Sequence, residues 1–326
     1  MNSFDKKYKK YRSIIDKKLA LCVRKNKPVS LYEPMKYILS GRGKRIRPLL
    51  ILLSCEAVGG TMNQAVNAAV AIEVMHNFTL VHDDIMDHAE SRRGRPTVHK
   101  RWDSNTAILV GDELVAVAYR ELLKTKSRAI AQVADVFTDG IMEVCEGQSY
   151  DKEFETVKDV SLSDYLLMIS KKTGKLFSVS AEIGALIGGG TEREISALKK
   201  YGTSIGRAFQ IQDDLLDVIA DEREFGKKIG GDIIEGKKTF LLIKAYDRST
   251  GKDRKVIQSV INKKGLTRTL IPSVKEIYER AGVVELAKQT IDHAIRQANL
   301  QLEKLRDTPA RNMLYWFSHM VLNRQF

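Results

Sequence analysis

The sequence predicts an all-α protein, built as a single-domain helical bundle over residues 1–326. Residues 97–271 contain no proline and are rich in Ala, Leu, Glu and Lys, which favour helices. Apolar residues recur with helical spacing, and the alternating Val, Ile and Thr runs typical of strands are few. No clear β-hairpin signal and no low-complexity linker interrupts the chain, so one all-α domain is the simplest organisation.

Helices can be placed in chain order from this spacing. From Ala68 to Asp87, four apolar side chains recur every four or three residues and form one stripe of an amphipathic helix. They are Val74, Phe78, Val81 and Ile85. We expect Gly94 and Pro96 to end this helix, because both residues disfavour its continuation. Residues 106–123 have the same helical pattern.

The second half of the chain continues in the same way. Residues 160–190 are predicted to be helical up to a run of glycines, and Ser161 with Asp164 resembles a capping box at their start. Further helices are predicted from Ser196 to Ala220 and from Lys238 to Tyr246, with others toward the C-terminus.

The composition excludes several classes of protein. Hydrophobic residues make up 43% of the 326 residues and charged residues 29%, as in ordinary globular proteins. No apolar run reaches the ~18–20 residues of a membrane span, and the polar start lacks a signal-peptide core. We therefore expect a cytoplasmic protein without integral membrane contact. Cys22, Cys55 and Cys145 are widely spaced, which indicates neither a disulfide framework nor a zinc site.

The net charge of +13 is compatible with nucleic acid, anionic membrane or phosphorylated small molecules. Many basic residues stand beside Gly or Pro, in the segments "GRGKRIRP", "SRRGRP", "KKTGK" and "GKKIGG". Such positions suit single phosphate groups held by Lys, Arg and backbone N–H groups. A nucleic-acid-binding protein is expected to spread its basic residues along one face. The sequence therefore favours phosphorylated small molecules over nucleic acid.

The pattern Asp-Asp-x-x-Asp occurs twice. The first motif is Asp83, Asp84 and Asp87, and the second motif is Asp213, Asp214 and Asp217. Residues three and four apart share one face of a helix, so each motif clusters three carboxylates. Like charges at this spacing destabilise a bare helix, whereas a divalent cation among them would make it favourable. Mg²⁺ suits such a set, because it prefers one or two carboxylates with water and phosphate oxygens.

A single motif of this kind is often an exposed acidic helix face, but two copies in one chain favour a metal site. Two such patches facing each other could hold a cluster of Mg²⁺ ions around one diphosphate. Basic residues flank the motifs and indicate two anion sites. They are Lys44, Arg47, Arg92, Arg93, Lys172 (followed by Thr173), Lys227 and Lys237, the last two on either side of Asp232.

Together these motifs resemble those of the trans-isoprenyl diphosphate synthases, the short-chain prenyltransferases. The resemblance extends from "GRGKRIRP" to "GDIIEGKKT" and includes "HDDIMD", "RRGRPTVH", "GDELVAVA", "EGQSYD", "KKTGKLF" and "FQIQDDLLD". The first 28 residues and those after about residue 250 match only loosely. The resemblance implies an all-α homodimer, each chain a helical bundle of the isoprenoid synthase type around a deep central cavity. It also implies that the protein condenses isopentenyl diphosphate with an allylic prenyl diphosphate, head to tail and in trans.

The resemblance also implies roles for individual residues. Three Mg²⁺ ions, with Mn²⁺ as an alternative, would be held through Asp83, Asp87 and Asp213, with Asp232 close to the third ion. The allylic diphosphate would contact Arg92, Lys172 and Lys227, near Gln148, Asp151 and Lys237. Isopentenyl diphosphate would contact Lys44, Arg47, His76 and Arg93. Thr173 and Gln210 would line the reacting carbons.

Product length is expected to depend on what blocks the hydrocarbon tail along the helix of the first motif. Phe78 lies five residues before Asp83, ~7.5 Å deeper, and Met75 lies ~12 Å deeper. Thr79 is small. An aromatic residue five positions before the motif, without one at the fourth, resembles the archaeal-type synthases of geranylgeranyl diphosphate (C20). A C25 (geranylfarnesyl) or C15 (farnesyl) product is the alternative.

Two other classes of protein fit this sequence less well than a synthase. A class I terpene cyclase would carry a mixed Asn, Ser and Glu second motif, and a non-catalytic subunit would lose one motif, whereas both are intact here. The product would be lipid-like, so the basic N-terminus "KKYKKYR" could give transient membrane contact.

Overall fold

A computed structural model describes residues 3–219, 230–262 and 267–322, and helices dominate these residues. The α-helices of the first half are α1 Ser3–Ala20, α2 Val29–Leu39, α3 Ile46–Ala57, α4 Met62–Met86, α5 Val98–Arg101, α6 Ser104–Leu122 and α7 Ile130–Phe154. Two short antiparallel strands, β1 Ser91–Arg92 and β2 Arg95–Pro96, lie between α4 and α5. The all-α fold class is confirmed.

The second half continues the helical series. Its α-helices are α8 Leu162–Ile169, α9 Lys175–Ile187, α10 Glu192–Ile219, α11 Gly231–Glu235, α12 Phe240–Arg248, α13 Gly251–Asn262, α14 Ile271–Arg280, α15 Val283–Leu302 and α16 Pro309–Leu322. A π-helical turn, Ser170–Gly174, joins α8 to α9, and a 3₁₀ turn, Arg268–Leu270, precedes α14. No helix within the described ranges is long and apolar enough to cross a membrane.

The contacts divide the chain into two compact units. Unit 1 comprises Met1–Phe137, Val179–Leu198 and Lys304–Trp316. Unit 2 comprises Thr138–Ser178, Lys199–Glu303 and Phe317–Phe326. The single domain over residues 1–326 and its central cavity stay predictions.

The core of unit 1 contains α3, α4 and α6. Nine of the twelve residues of α3 are buried, so this helix is apolar on nearly all sides, as expected of a central helix. Helix α6 begins where the Asp103 carboxylate accepts a hydrogen bond from the Thr106 backbone N–H at 2.8 Å. It packs closely against α4, the helix that carries the first motif.

The core of unit 2 contains large aromatic side chains. Tyr165, Phe177, Tyr201 and Tyr278 are almost completely buried there. The predicted capping box at the start of α8 is confirmed, because the Ser161 N–H donates to Asp164 Oδ2 at 3.0 Å and the Asp164 N–H donates to Ser161 Oγ at 3.2 Å.

One prediction about the first motif is wrong. The helix that carries it ends at Met86 and does not continue to Gly94. Residues 91–96 form a short hairpin instead, whose turn residues Arg93 and Gly94 have positive φ angles of 54° and 73°. Glycine adopts such angles at no steric cost, so Gly94 belongs to a turn between two strands.

Candidate active site

Helix α4 carries the first motif and the residues expected to set product length. Met75 is buried, Phe78, Thr79 and Asp83 are half-buried, and Asp87 is exposed at the end of the helix. Exposure thus rises from Met75 to Asp83 and Asp87, while Asp84 between them stays buried. One continuous helix holds the first four of these residues, and Asp87 is its C-cap. The helical rise used to estimate the depths of Met75 and Phe78 therefore applies to this segment.

The middle carboxylate of the first motif has a cationic partner. Arg92 Nε donates to Asp84 Oδ1 at 2.7 Å, and Asp84 is 2% exposed. Burial raises the pKa of Asp84, and the Arg92 guanidinium opposes this rise. The hairpin between α4 and α5 therefore brings a basic side chain back to the motif. The sequence analysis also placed Arg92 beside the motif, but after the end of a longer helix. Arg93, in the hairpin turn, donates to the Arg42 carbonyl oxygen at 3.0 Å.

Arg47 and His76 lie side by side in unit 1, and both were predicted to bind a diphosphate. Arg47 Nη1 and His76 Nε2 lie 3.1 Å apart. Burial lowers the pKa of Arg47 to about 10. Burial and the Arg47 charge hold the pKa of His76 well below its ordinary value. His76 is therefore a neutral ring at pH 7, and its Nδ1 atom has no hydrogen-bond partner among the described residues.

The neighbouring residue Arg45 was not predicted to matter. Its guanidinium donates to Glu73 at 2.7 Å, to Asp16 at 2.8 Å and to the Gly41 carbonyl oxygen at 2.6 Å. Its φ angle is 52°, and the side chain is 4% exposed. These contacts fix the segment between Lys44 and Arg47. The sequence signal was Glu73, a charge within the apolar run "AVAIEVM" and three residues before His76.

Several predicted residues of unit 2 lie together around the π-helical turn. Lys172 Nζ donates to Asp151 Oδ2 at 2.5 Å, and Thr173 Oγ1 donates to Gln210 Oε1 at 2.7 Å. Helix α7 approaches this turn so closely that a Cβ atom on Gly147 would lie 2.2 Å from the backbone nitrogen of Lys172. Gln148, the next residue, is buried. The structure thus brings Lys172 to Asp151 and Thr173 to Gln210, and the roles of these residues stay predictions.

The second motif continues from this cluster. Asp214 accepts from Gln210 Nε2 at 3.0 Å and from the Tyr165 hydroxyl at 2.6 Å. Asp217 accepts from the Asp232 backbone N–H at 3.0 Å. Lys237 Nζ lies 3.8 Å from Asp232 Oδ1. Lys227 lies outside the described residues. Tyr165 was missed, since a buried tyrosine in an apolar helix has no distinguishing sequence signal.

The carboxylates of unit 2 lack full charge compensation. Burial raises the pKa of Asp214 to about 7, and burial also raises the pKa values of Asp217 and Asp232. A bound cation reverses this effect, because it favours the ionised form. Within the described ranges, no three His, Cys, Asp or Glu side chains converge as in a closed metal site. Mg²⁺ fits such a set, since water and phosphate oxygens supply most of its ligands.

An open pocket in unit 1 contains none of the predicted site residues. Its volume is about 330 Å³, and it is lined by Pro28, Ser30, Leu31, Thr106, Leu109, Asp112 and Glu113. Among the described residues, the predicted site residues of unit 1 combine basic side chains with the first motif, and those of unit 2 are more acidic.

A comparison with protein families identifies this arrangement. The family model described as "Polyprenyl synthetase" matches residues 28–280, more than half of the chain. The chain belongs to the polyprenyl synthetase family. This polyprenyl synthetase is a prenyl diphosphate synthase, a transferase of prenyl groups. The predicted family and enzyme class are confirmed.

Several relatives of this polyprenyl synthetase are archaeal. A "Short chain isoprenyl diphosphate synthase" of Methanothermobacter thermautotrophicus is 40% identical and covers 97% of both chains. A "Geranylgeranyl diphosphate synthase" of Methanosarcina mazei is 37% identical, over 92% of this chain and 91% of the other. The crystal structure of geranylgeranyl pyrophosphate synthetase from Pyrococcus horikoshii has a TM-score of 0.91 at 38% identity, over 98% of both chains.

Proposed function

We propose that this polyprenyl synthetase condenses isopentenyl diphosphate with an allylic diphosphate, head to tail and in trans, and that its main product is geranylgeranyl diphosphate. The observation that carries the proposal is Phe78, an aromatic side chain half-buried on α4 five residues before an intact first motif, with the small Thr79 after it. Relatives at 37% and 38% identity are named as synthases of that product.

We propose that Mg²⁺ is held through Asp83 and Asp87 of the first motif and through Asp213 of the second, with Asp232 near the third ion. Such ions neutralise the charge that develops on a departing diphosphate. The raised pKa values in unit 2 support this assignment, because they mark carboxylates that gain from a nearby cation.

The protein side chains supply charge at both diphosphates. Lys172, already oriented by Asp151, is proposed to bind the allylic diphosphate together with Arg92. Arg47 with the neutral His76 is proposed to bind isopentenyl diphosphate, with Lys44 and Arg93. These groups are positioned before substrate arrives, so they stabilise developing charge at little reorganisation cost.

Thr173 and Gln210 are proposed to line the reacting carbons. Their oxygen atoms carry partial negative charge, which stabilises the allylic cation until the double bond of isopentenyl diphosphate attacks it. Binding both substrates in a site that excludes water contributes proximity and keeps water from quenching the cation.

Elongation assays test the reaction. The purified protein is incubated with Mg²⁺, isopentenyl diphosphate and each allylic starter, and the dephosphorylated products are sized. We expect C20 to dominate. No elongation with any starter would reject the synthase activity in favour of a terpene cyclase or a non-catalytic subunit.

Product length is tested with Phe78→Ala, which is expected to lengthen the products. Phe4→Ala is a matched control, since Phe4 is also half-buried and its ring centroid lies 6.3 Å from that of Trp316. An unchanged product distribution in Phe78→Ala would remove Phe78 as the block. A C25 product of the wild type would place the block at Met75, whose flexible side chain can admit a longer tail.

A second copy of the chain is the proposed partner of α6. Ile108 and Leu109 on this helix are 44% and 60% exposed, which is unusual for large apolar residues on adjacent positions. Light scattering on the purified protein is expected to give the mass of a dimer, and Leu109→Lys is expected to shift it toward the monomer.

A further inference from the structure

A chain of three hydrogen bonds joins a buried tyrosine to the π-helical turn in unit 2. The Tyr165 hydroxyl donates to Asp214 Oδ2 at 2.6 Å, and Gln210 Nε2 donates to Asp214 Oδ1 at 3.0 Å. Thr173 Oγ1 then donates to Gln210 Oε1 at 2.7 Å. Helices α8 and α10 supply the first three residues, and the turn supplies Thr173.

The direction of these bonds fixes the orientation of the groups. Asp214 receives a hydrogen on each carboxylate oxygen, so the Gln210 amide must present its NH₂ group to Asp214 and its oxygen to Thr173. The Thr173 hydroxyl spends its one hydrogen on that oxygen. Only oxygen lone pairs of Thr173 remain for any further contact of this hydroxyl.

Burial makes this orientation stable. Tyr165 is 2% exposed and Asp214 is 5% exposed. Reversing the Gln210 amide would place its oxygen against Asp214 Oδ1, and this buried carboxylate oxygen would lose its donor. The phenol donates to Asp214 Oδ2 and so helps to hold the carboxylate in this orientation.

We propose that Tyr165 is a positioning residue for the prenyl transfer reaction. It holds Asp214, and through Asp214 it orients Gln210 and Thr173 so that they present oxygen lone pairs, and no N–H or O–H hydrogen, to the allylic cation. The inference rests on the proposed function, which assigns Thr173 and Gln210 to the reacting carbons. It also gives the middle Asp of the second motif a task distinct from the metal role of Asp213.

The physical reason is electrostatic. A cation gains from the negative end of a fixed dipole and loses from an N–H group pointed at it. A loosened amide samples both orientations, so the transition state loses stabilisation while the diphosphate contacts of Lys172 stay in place. The rate of the chemical step should therefore fall without a matching change in substrate affinity.

Tyr165→Phe tests this proposal, because it keeps the ring and removes only the hydroxyl. We expect kcat to fall on the order of tenfold, as for outer residues that orient catalytic groups. The KM values of both substrates should stay unchanged. Tyr201→Phe is the matched control: Tyr201 is also buried in unit 2, and its hydroxyl lies 2.9 Å from Ser318 Oγ. Both variants should lose similar unfolding free energy in urea, but Tyr201→Phe should keep the wild-type kcat.

A double-mutant cycle tests whether Tyr165 acts through Asp214. Asp214→Asn cannot accept hydrogens on both sides, so it is expected to lower kcat by itself. Adding Tyr165→Phe to Asp214→Asn should then cause little further loss. If the two losses multiply, or if Tyr165→Phe keeps the wild-type kcat, the proposal is overturned.

The same variants also distinguish failure of the positioning role from poor folding of Tyr165→Phe and from failure of the proposed function. Should Tyr165→Phe not fold, Asp214→Asn alone decides: a lower kcat with unchanged KM supports the proposal, and wild-type kcat overturns it. A wild-type protein that elongates no starter rejects the proposed function, whereas normal elongation with an unaffected Tyr165→Phe rejects only the positioning role.

Discussion

Gly111 of α6 faces His82 of α4, and the contact leaves no space for a methyl group. A Cβ atom at position 111 would lie 2.1 Å from His82 Nε2 and 2.5 Å from its Cδ2 atom. The imidazole would have to move. It now packs edge-on against Phe78, with ring centroids 4.8 Å apart, so Gly111→Ala disturbs the support of the proposed product-length block.

Two opposing effects set the size of the change. Alanine favours a helix by about 1 kcal/mol over glycine. Overpacking typically costs about 1–3 kcal/mol, and loss of the aromatic contact costs about 0.5–1.5 kcal/mol more. The clash outweighs the propensity, so Gly111→Ala should lower the free energy of unfolding by roughly 1–3 kcal/mol.

Urea unfolding and product sizing together check this prediction. The products of Gly111→Ala should shift toward longer chains, because Phe78 loses the ring that supports it. The double variant Gly111→Ala with His82→Ala removes the obstacle and should recover part of the lost stability. A Gly111→Ala protein that is more stable than the wild type and makes the same products would refute the reasoning.

Three further predictions concern pH, the buried ion pair and the N-terminal helix. The pKa of His76 is lowered in the folded state, so the unfolded state binds more protons below pH ~6.5 and stability falls as the pH drops. The free energy of unfolding, measured in urea, should decrease by about 1–2 kcal/mol between pH 7 and pH 5. His76→Gln should make this decrease smaller. Arg45→Lys keeps the charge but loses the planar guanidinium that donates to Glu73, and should lower the free energy of unfolding by about 2–4 kcal/mol. Removing residues 2–12 should reduce cosedimentation with anionic vesicles, since this segment carries exposed lysines.

Each of these has its own control. His293→Gln changes an exposed histidine and should leave the pH dependence of unfolding as in the wild type. Arg268→Lys changes an exposed arginine and should cost little stability. Vesicles of neutral lipid should bind neither the full chain nor the shortened one, and equal binding of both to anionic vesicles would exclude a role of α1.

The fold class and the helix of the first motif could be predicted from the sequence, because both depend on local periodicity. The stripe from Val74 to Ile85 predicted α4, which proved longer at its N-terminus, and the Ser161 capping box predicted the start of α8. The helical boundaries near residues 196 and 238 shifted by a few residues, as expected where capping signals are weak.

Features that depend on tertiary contact were missed. The hairpin at 91–96 looked like a helix end, because Gly94 and Pro96 stop a helix and also suit a turn. The π-helical turn lies against Gly147 of α7, and no local pattern in the sequence shows that contact. The partners of Arg45 come from residues 29 positions before it and 28 positions after it, so spacing within the motif could not assign its role.

The π-helical turn has a consequence for how insertions and deletions act on this enzyme. In a continuous α-helix, each residue is rotated ~100° from the one before it, so faces stay in phase along its length. The wider turn at Ser170–Gly174 lets one extra residue pass without breaking the helix, which shifts the phase between α8 and α9. Deleting a single residue there would restore the phase and turn Lys172 and Thr173 away from Asp151 and Gln210. The segment "KKTG" should therefore tolerate a substitution better than an insertion or a deletion.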